Sequence, residues 1–266
     1  MIKELKINNY CFYYTQKGTG QPLLLIHGSL CDIRYWKKQI DFLSQYFSVY
    51  ALSLRHYWPN NFNLNNGSFS IKQHSDDVVL FIEHLIKSPV HLLGHSRGGA
   101  VSLKVAINKP CMIKSLILAD PGGFIIDNYP SNNRDEFRII AAELIANNKL
   151  EEGLELFINK VSGNQTWEKM VSWFKNMVYD NADTLLGQSK EEILLFSKEK
   201  ISNMFMPSLL IGGAISPDPY PKILDKLQHF LPKNERVTIH RSSHGMNIGN
   251  PKTFNEKVHS FILKKA

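Results

Sequence analysis

The sequence predicts an α/β fold: a mostly parallel eight-stranded sheet with helices on both faces and a helical cap inserted after the sixth strand. Three observations predict it. Short apolar runs such as Pro22–Ile26 and Pro89–Leu93 suit strands buried on both faces. These runs alternate with segments of helical apolar spacing, the rhythm of a parallel sheet with crossover helices. From Phe124 to Asn203 the rhythm stops, and helical patterns remain with no convincing strand. The 266 residues are 43% hydrophobic, enough for a substantial core and against global disorder.

In chain order, Lys3 to Asn8 and Tyr10 to Thr15 read as two strands, followed by a turn at Lys17-Gly18-Thr19-Gly20. Pro22–Ile26 is a central strand, ended by His27-Gly28-Ser29-Leu30. Tyr35 to Tyr46 has helical spacing through Trp36, Ile40 and Leu43. Phe47 to Leu54 is the next strand. Asp76 to Lys87 reads as a helix with Val79, Ile82, Leu85 and Ile86 on one face. Pro89–Leu93 and Ile113 to Ala119 are the fifth and sixth strands. Helices are expected over Arg134 to Ile145, Leu150 to Lys160, Thr166 to Tyr179 and Lys190 to Lys198. Strands resume at Pro207–Ile211 and Glu235 to His240, and a final helix runs from Pro251 to about Lys264. The expected division is a core of 1–123 and 204–266 with a cap of 124–203.

Between the fifth strand and a small-residue helix lies Gly94-His95-Ser96-Arg97-Gly98, a G-x-S-x-G pattern. A strand, a sharp turn and a helix expose a serine at the turn's tip, and the small neighbours let strand and helix approach closely. Ser96 is the expected nucleophile.

These residues, with His27-Gly28 after the third strand and Ser243-His244-Gly245 near the end, resemble the α/β-hydrolase superfamily over nearly the whole chain. The resemblance implies the fold, the cap and a triad in the order serine, acid, histidine. A serine hydroxyl needs a base to take its proton. His244 follows the last strand and fits, whereas His240 lies within that strand and His259 within the final helix. The family most often places its acid in a G-x-x-D turn after the strand at Pro207–Ile211. Here Ile215 or Ser216 holds that position, and neither serves as an acid. Two carboxylates remain: Asp120, favoured because it ends the sixth strand, where active sites of open α/β sheets lie, and Asp218 in Pro217-Asp218-Pro219. Certain haloalkane dehalogenases and lipases resemble the first arrangement. The oxyanion hole is expected from the backbone N–H groups of Ser29 and Arg97. Arg97 pairs with an acidic substrate or with a neighbouring carboxylate. Arg55 to Pro59 is expected to line the pocket. The aromatic residues Phe124, Phe137, Phe157, Trp167, Trp173, Phe174 and Tyr179 are expected mainly to pack within the cap, with an apolar lid as the other reading.

The expected activity is cofactor-independent carboxylic-ester or thioester hydrolysis through an acyl-enzyme. The alternatives are carbon–carbon bond hydrolysis or perhydrolysis with the same triad, and ligand binding without catalysis. An aspartate-nucleophile dehalogenase or epoxide hydrolase is disfavoured by Ser96. The partner is a small-molecule substrate. Three scattered cysteines show no zinc spacing and fit a reducing compartment, so no metal is expected. The net charge of +7 is spread without a dense basic run, arguing against nucleic acid. The charged start Met1–Lys6 lacks the apolar core of a signal peptide and no run is long enough for a membrane span, so a cytoplasmic location is expected.

Overall fold

The apolar alternation along the central strands decides which helices cover which face. The computed structural model describes residues 1–126 and 136–265. In chain order its first six strands are β1 (Lys3–Ile7), β2 (Tyr10–Lys17), β3 (Pro22–Ile26), β4 (Ser48–Leu52), β5 (Val90–His95) and β6 (Ile113–Ala119). Four more follow: β7 (Phe124–Ile126), β8 (Leu194–Phe196), β9 (Ser208–Gly213) and β10 (Asn234–Ile239). Eight of these form one sheet in the order β1-β2-β4-β3-β5-β6-β9-β10, parallel from β4 onward and antiparallel at the β1-β2 and β2-β4 pairings.

The principal core helices are α1 (Lys37–Leu43), α2 (Ile71–Phe81) and α3 (Arg97–Asn108). Between β7 and β9 come α4 (Glu136–Ala146), α5 (Leu150–Ser162), α6 (Thr166–Lys169), α7 (Ser172–Asp180), α8 (Thr184–Gln188) and α9 (Lys198–Ser202). The chain ends with α10 (Tyr220–Phe230), α11 (Met246–Gly249) and α12 (Pro251–Lys265). Leu24, Ile26 and Leu92 point to the face covered by α2, α3 and α10, while Leu23, Leu25 and Leu93 point to the face covered by α1 and α12. Both faces are dry, which is why these strands read as unbroken apolar runs.

A third core lies among α4, α5 and the helices that follow, built from Ala141, Leu154, Phe157, Trp167 and Val178 around Leu30 of the loop after β3. Polar contacts tie this excursion down. Buried Asn181 donates to Asp32 Oδ2 (2.8 Å) and accepts from the Trp58 N–H (2.8 Å).

Several elements depart from expectation. β7 and β8 pair in parallel within the stretch expected to be all helical. Three residues are too short a run to display a period-2 pattern. Lys190 to Lys198 is correspondingly a turn, β8 and the start of α9. Thr166 to Tyr179 is broken at Met170, whose extended backbone (ψ 130°) separates α6 from α7. The helix expected from Asp76 begins at Ile71, because Ser70 caps it by accepting from the Gln73 N–H (3.0 Å). Ser70 followed three residues later by Gln73 is a capping-box signature. The helix expected from Arg134 is described from Glu136; Arg134 and Asp135 lie outside the described residues. Helix α10 was not anticipated, although Tyr220, Ile223, Leu224 and Leu227 recur at i, i+3, i+4 and i+7 and are buried. No helix among the described residues is long and apolar enough to cross a membrane.

The core buries His27, His74 and His95, and burial lowers the pKa of each, to about 4 for His27 and about 3 for His95. The unfolded imidazoles protonate near 6.5, so the unfolded chain binds more protons below that value. Their contribution is fully present above pH 6.5 and is lost as pH falls toward 4, at about 1.4 kcal/mol per pH unit for each group. Urea unfolding at pH 7, 6 and 5 is expected to show steeply falling stability, with a shallower slope in His27→Gln. Constant stability across this window would show that these rings charge freely in the fold.

Candidate active site

Ser96 stands between the end of β5 and the start of α3 with φ 53° and ψ −121°, a backbone region that residues other than glycine rarely enter. Its N–H donates to the Ala119 carbonyl (3.0 Å) and its carbonyl accepts from Gly99 (2.9 Å) and Gly122 (3.0 Å). Two glycines make the turn sterically feasible. A Cβ on Gly98 would lie 2.2 Å from the Ile26 carbonyl oxygen, and one on Gly94 would lie 2.2 Å from that of Gly98. The sequence therefore has no room for a side chain at either position if α3 is to pack against the ends of β3 and β5.

His244 lies in the turn between β10 and α11 and is buried. Its Nδ1 is 3.4 Å from Asp120 Oδ2. Its carbonyl accepts from His95 Nε2 (2.8 Å). The imidazole is sandwiched, with the Tyr220 ring at 3.9 Å and 16° on one side and the His95 ring at 4.6 Å and 40° on the other.

Asp120 directly follows β6 with φ 38°, and its N–H donates to the Ile211 carbonyl (2.9 Å) on β9. Its carboxylate is fully buried and accepts from the Ser216 hydroxyl (2.5 Å). Burial pushes the Asp120 carboxyl up, opposed by the Ser216 hydrogen bond. Burial pushes the His244 imidazole down, so neutral imidazole is the resting form.

The two candidate acids thus sit in different surroundings. Asp120 faces His244. Asp218 is exposed and ion-paired with Lys222 one helical turn on. Ser216, set aside in the sequence because a hydroxyl cannot replace a carboxylate, instead supports one. Its position after β9 was the available signal.

Ser29 and Ser96 line one cavity of about 380 Å³, together with His95 and His244. Phe157, Ile158, Val161, Met170 and Phe174 give it a largely apolar wall, in which Ser162, Thr166 and Lys169 are the polar members. The loop carrying Ser29 touches the turn: a Cβ on Gly28 would lie 3.0 Å from Ser96 Cβ. His27 shapes this loop. Its Nε2 accepts from the Leu54 N–H (3.0 Å) and its Nδ1 donates to the Gly28 carbonyl (2.8 Å).

The Arg97 backbone N–H opens α3 beside Ser96, but its side chain turns away. It forms a buried ion pair with Glu191, donates to His74 Nδ1 (3.2 Å) and lies over Phe69. A carboxylate of the protein, not one of a substrate, is its partner here. The stretch Arg55 to Pro59, expected to line the pocket, does not do so. Arg55 pairs with buried Asp77 (2.6 Å), and Trp58 lies under Arg34. Of the aromatic residues of the excursion, Phe157 and Phe174 reach the cavity, while Trp167 packs on Tyr179 and Phe124 on Phe196. Tyr220 was not singled out in the sequence. Its signal was its place at the start of an amphipathic helix one loop after β9.

No cluster of His, Cys, Asp or Glu among the described residues has metal-binding geometry. The family model described as the alpha/beta hydrolase fold matches residues 21–251. The (E)-2-((N-methylformamido)methylene)succinate hydrolase of Acinetobacter baylyi is 22% identical over 260 residues, covering 96% of this chain and 95% of that protein. Among solved structures, a thermophilic esterase from Thermogutta terrifontis superposes with a TM-score of 0.81 at 19% identity, covering 100% and 99% of the two chains. The enol-lactonase of Burkholderia xenovorans gives a TM-score of 0.81 at 16% identity, covering 98% and 100%. At these identities the structures share the fold with this chain.

Ser216→Ala removes a donor that favours the ionised carboxylate. The Asp120 pKa is expected to rise further, measured by carbon-13 carboxyl titration in selectively labelled protein. An unchanged or lower value would show that the Ser216 hydroxyl does not hold the carboxylate.

Proposed function

We propose, from the premise that this chain belongs to the alpha/beta hydrolase fold family, that it is a serine hydrolase of carboxylic esters or thioesters working without a cofactor. The observation that carries this reading is the convergence of Ser96 and His244 on one cavity, with the buried carboxylate of Asp120 at the far nitrogen of the imidazole.

In this reading Ser96 Oγ attacks the substrate carbonyl carbon as His244 Nε2 takes its proton. Asp120 holds the Nδ1 proton in place and stabilises the imidazolium that forms. The Ser29 and Arg97 backbone N–H groups receive the oxyanion. His244 then protonates the leaving group, and water, activated by the same imidazole, releases the acid and restores Ser96. The start of α3 adds its dipole where negative charge develops. Because Arg97 is neutralised by Glu191 inside the fold, it brings no net charge to the cavity. The apolar wall favours an acyl group of aliphatic or aromatic character. The segment 124–203 is the cap in this reading, and the remainder is the catalytic core.

The test is turnover of p-nitrophenyl esters of graded acyl length. Ser96→Ala is expected to abolish it. Asp120→Asn is expected to lower kcat by about 10⁴-fold, the cost of disturbing the histidine tautomer, while Asp218→Asn stays within about twofold, as for an exposed residue. The reverse order for the two aspartates would move the acid to Asp218. Absence of turnover, with no fluorophosphonate adduct on Ser96, would sink the hydrolase reading.

Val161→Phe fills part of the cavity wall. It is expected to shift the preferred acyl group to a shorter one while leaving acetate turnover near wild type. An unchanged length preference would show that the acyl group lies elsewhere.

A further inference from the structure

Three consecutive residues of the helical excursion, Lys169, Met170 and Val171, line the cavity that holds Ser96. The break between two helices makes this possible. α6 ends at Lys169, and the extended backbone of Met170 (ψ 130°) carries the chain along the wall before α7 begins. The wall is buried at Phe157 and Ile158, whereas Lys169 is exposed and Val171 is 52% exposed. This stretch is therefore where the apolar wall reaches solvent.

Among the described residues that line the cavity, Lys169 is the one with a full charge at neutral pH. His95 and His244 line it too, but burial holds both imidazoles neutral. Other cations around the site have partners within the chain. Arg34 pairs with Asp32 and Asp180, Arg97 with Glu191, and Lys175 lies over Trp167. Lys169 differs. Its ammonium donates to the neutral Gln165 Oε1 (3.3 Å), and among the described residues no carboxylate stands within ion-pairing distance of it. An ammonium has three N–H donors, so two remain for a ligand. The polar neighbours do not duplicate this role. The Thr166 hydroxyl donates to the Gly163 carbonyl (2.6 Å), and the Ser243 hydroxyl donates to the Ser162 carbonyl (2.7 Å).

An apolar wall that ends in a cation without a carboxylate partner is complementary to a ligand with an apolar body and an anionic end. We propose that Lys169 is a specificity-determining residue that pairs with a carboxylate at the far end of the acyl group. The substrates are then monoesters or monothioesters of dicarboxylic acids with an aliphatic chain between the two carboxyl groups. The inference rests on the serine-hydrolase reading above and names its substrate class. The scissile carbonyl meets Ser96, the methylenes cover the apolar wall, and the remote carboxylate stays at the mouth beside the ammonium. At the mouth it keeps part of its hydration, which spares it the desolvation cost of a buried ion pair. Its charge does not change during the reaction. Lys169 therefore binds the ground state and the transition state alike, and its effect falls on KM.

The experiment measures kcat/KM for the mono-p-nitrophenyl ester of adipic acid and for p-nitrophenyl hexanoate, which has the same chain length without the charge. Wild type, Lys169→Met, Lys169→Glu and Lys169→Arg are compared. The ratio of the two values cancels any general change in activity or folding. It is expected to fall by about fivefold in Lys169→Met, the upper end for one exposed charge pair. It should fall further in Lys169→Glu and return in Lys169→Arg, with the change carried by KM. Raising salt from about 0.05 to about 0.5 M should lower the wild-type ratio and leave that of Lys169→Met nearly flat. A ratio equal to wild type in both Lys169→Met and Lys169→Glu would overturn the proposal. So would an equal loss with 4-carboxyphenyl hexanoate, whose charge lies on the leaving group. Either result leaves the hydrolase reading intact, provided Ser96→Ala is inactive. A wild-type protein that neither turns over esters nor is labelled at Ser96 by a fluorophosphonate overturns both.

Discussion

Holding the Ser96 backbone at φ 53° costs on the order of 1–3 kcal/mol, and the surrounding structure has to over-determine it. It does so from three sides. β6 receives the Ser96 N–H, the turn after β6 donates to its carbonyl through Gly122, and α3 closes on the same carbonyl through Gly99. Each contact requires the sheet to be in register first, with β5 between β3 and β6. The glycines at 94 and 98 permit the approach, but the ladder positions the partners. A serine at the same place in a flexible turn would be neither exposed to a cavity nor fixed beside a histidine.

The placement of the carboxylate follows from the same sheet. β6 and β9 are hydrogen-bonded neighbours running in parallel, and the Asp120 N–H continues that pairing onto Ile211. Their C-terminal ends therefore open on the same space beneath His244. Asp120, leaving the end of β6, arrives at His244 Nδ1, and the loop after β9 takes on other tasks. In this chain that loop supplies a hydroxyl to the carboxylate through Ser216 and an aromatic ring to the imidazole through Tyr220. Burial favours the neutral form of each partner, and the Ser216 hydrogen bond counteracts that pressure on the carboxylate.

The helical excursion has a core of its own, yet it is anchored by buried polar contacts at two places. Asn181 joins it to Asp32 and Trp58, and Glu191 joins it to Arg97 and to the start of α2 at Ile71. Breaking one partner of a buried ion pair leaves an uncompensated charge, at a cost of about 3–5 kcal/mol, so the Arg97–Glu191 pair strongly disfavours withdrawal of this segment. The residue following Ser96 thereby links the strained turn to the segment between α8 and β8.

The succession of the main elements along the chain, the G-x-S-x-G turn and the histidine after the last strand were legible because they are local: each is a short pattern whose geometry is set by neighbouring residues. The continuous apolar runs also identified the buried strands, since full burial on both faces leaves no polar face to read. What the sequence left open was pairwise and distant. The sequence favours Asp120 over Asp218 by its place at a strand end without excluding either, and it is the adjacency of β6 and β9 that brings Asp120 to His244 while Asp218 meets Lys222 at the surface. Arg97 offered a charge without a direction; Glu191, 94 residues away, supplied it. Tyr220 had no motif to announce it, because stacking depends on the spatial meeting of a helix start with a loop that the chain reaches after another strand. Local backbone and solvation preferences determined the elements from the sequence; the side-chain partnerships of the site were decided by tertiary structure, because hydrogen bonds and ring contacts act over a few ångströms of space regardless of distance along the chain.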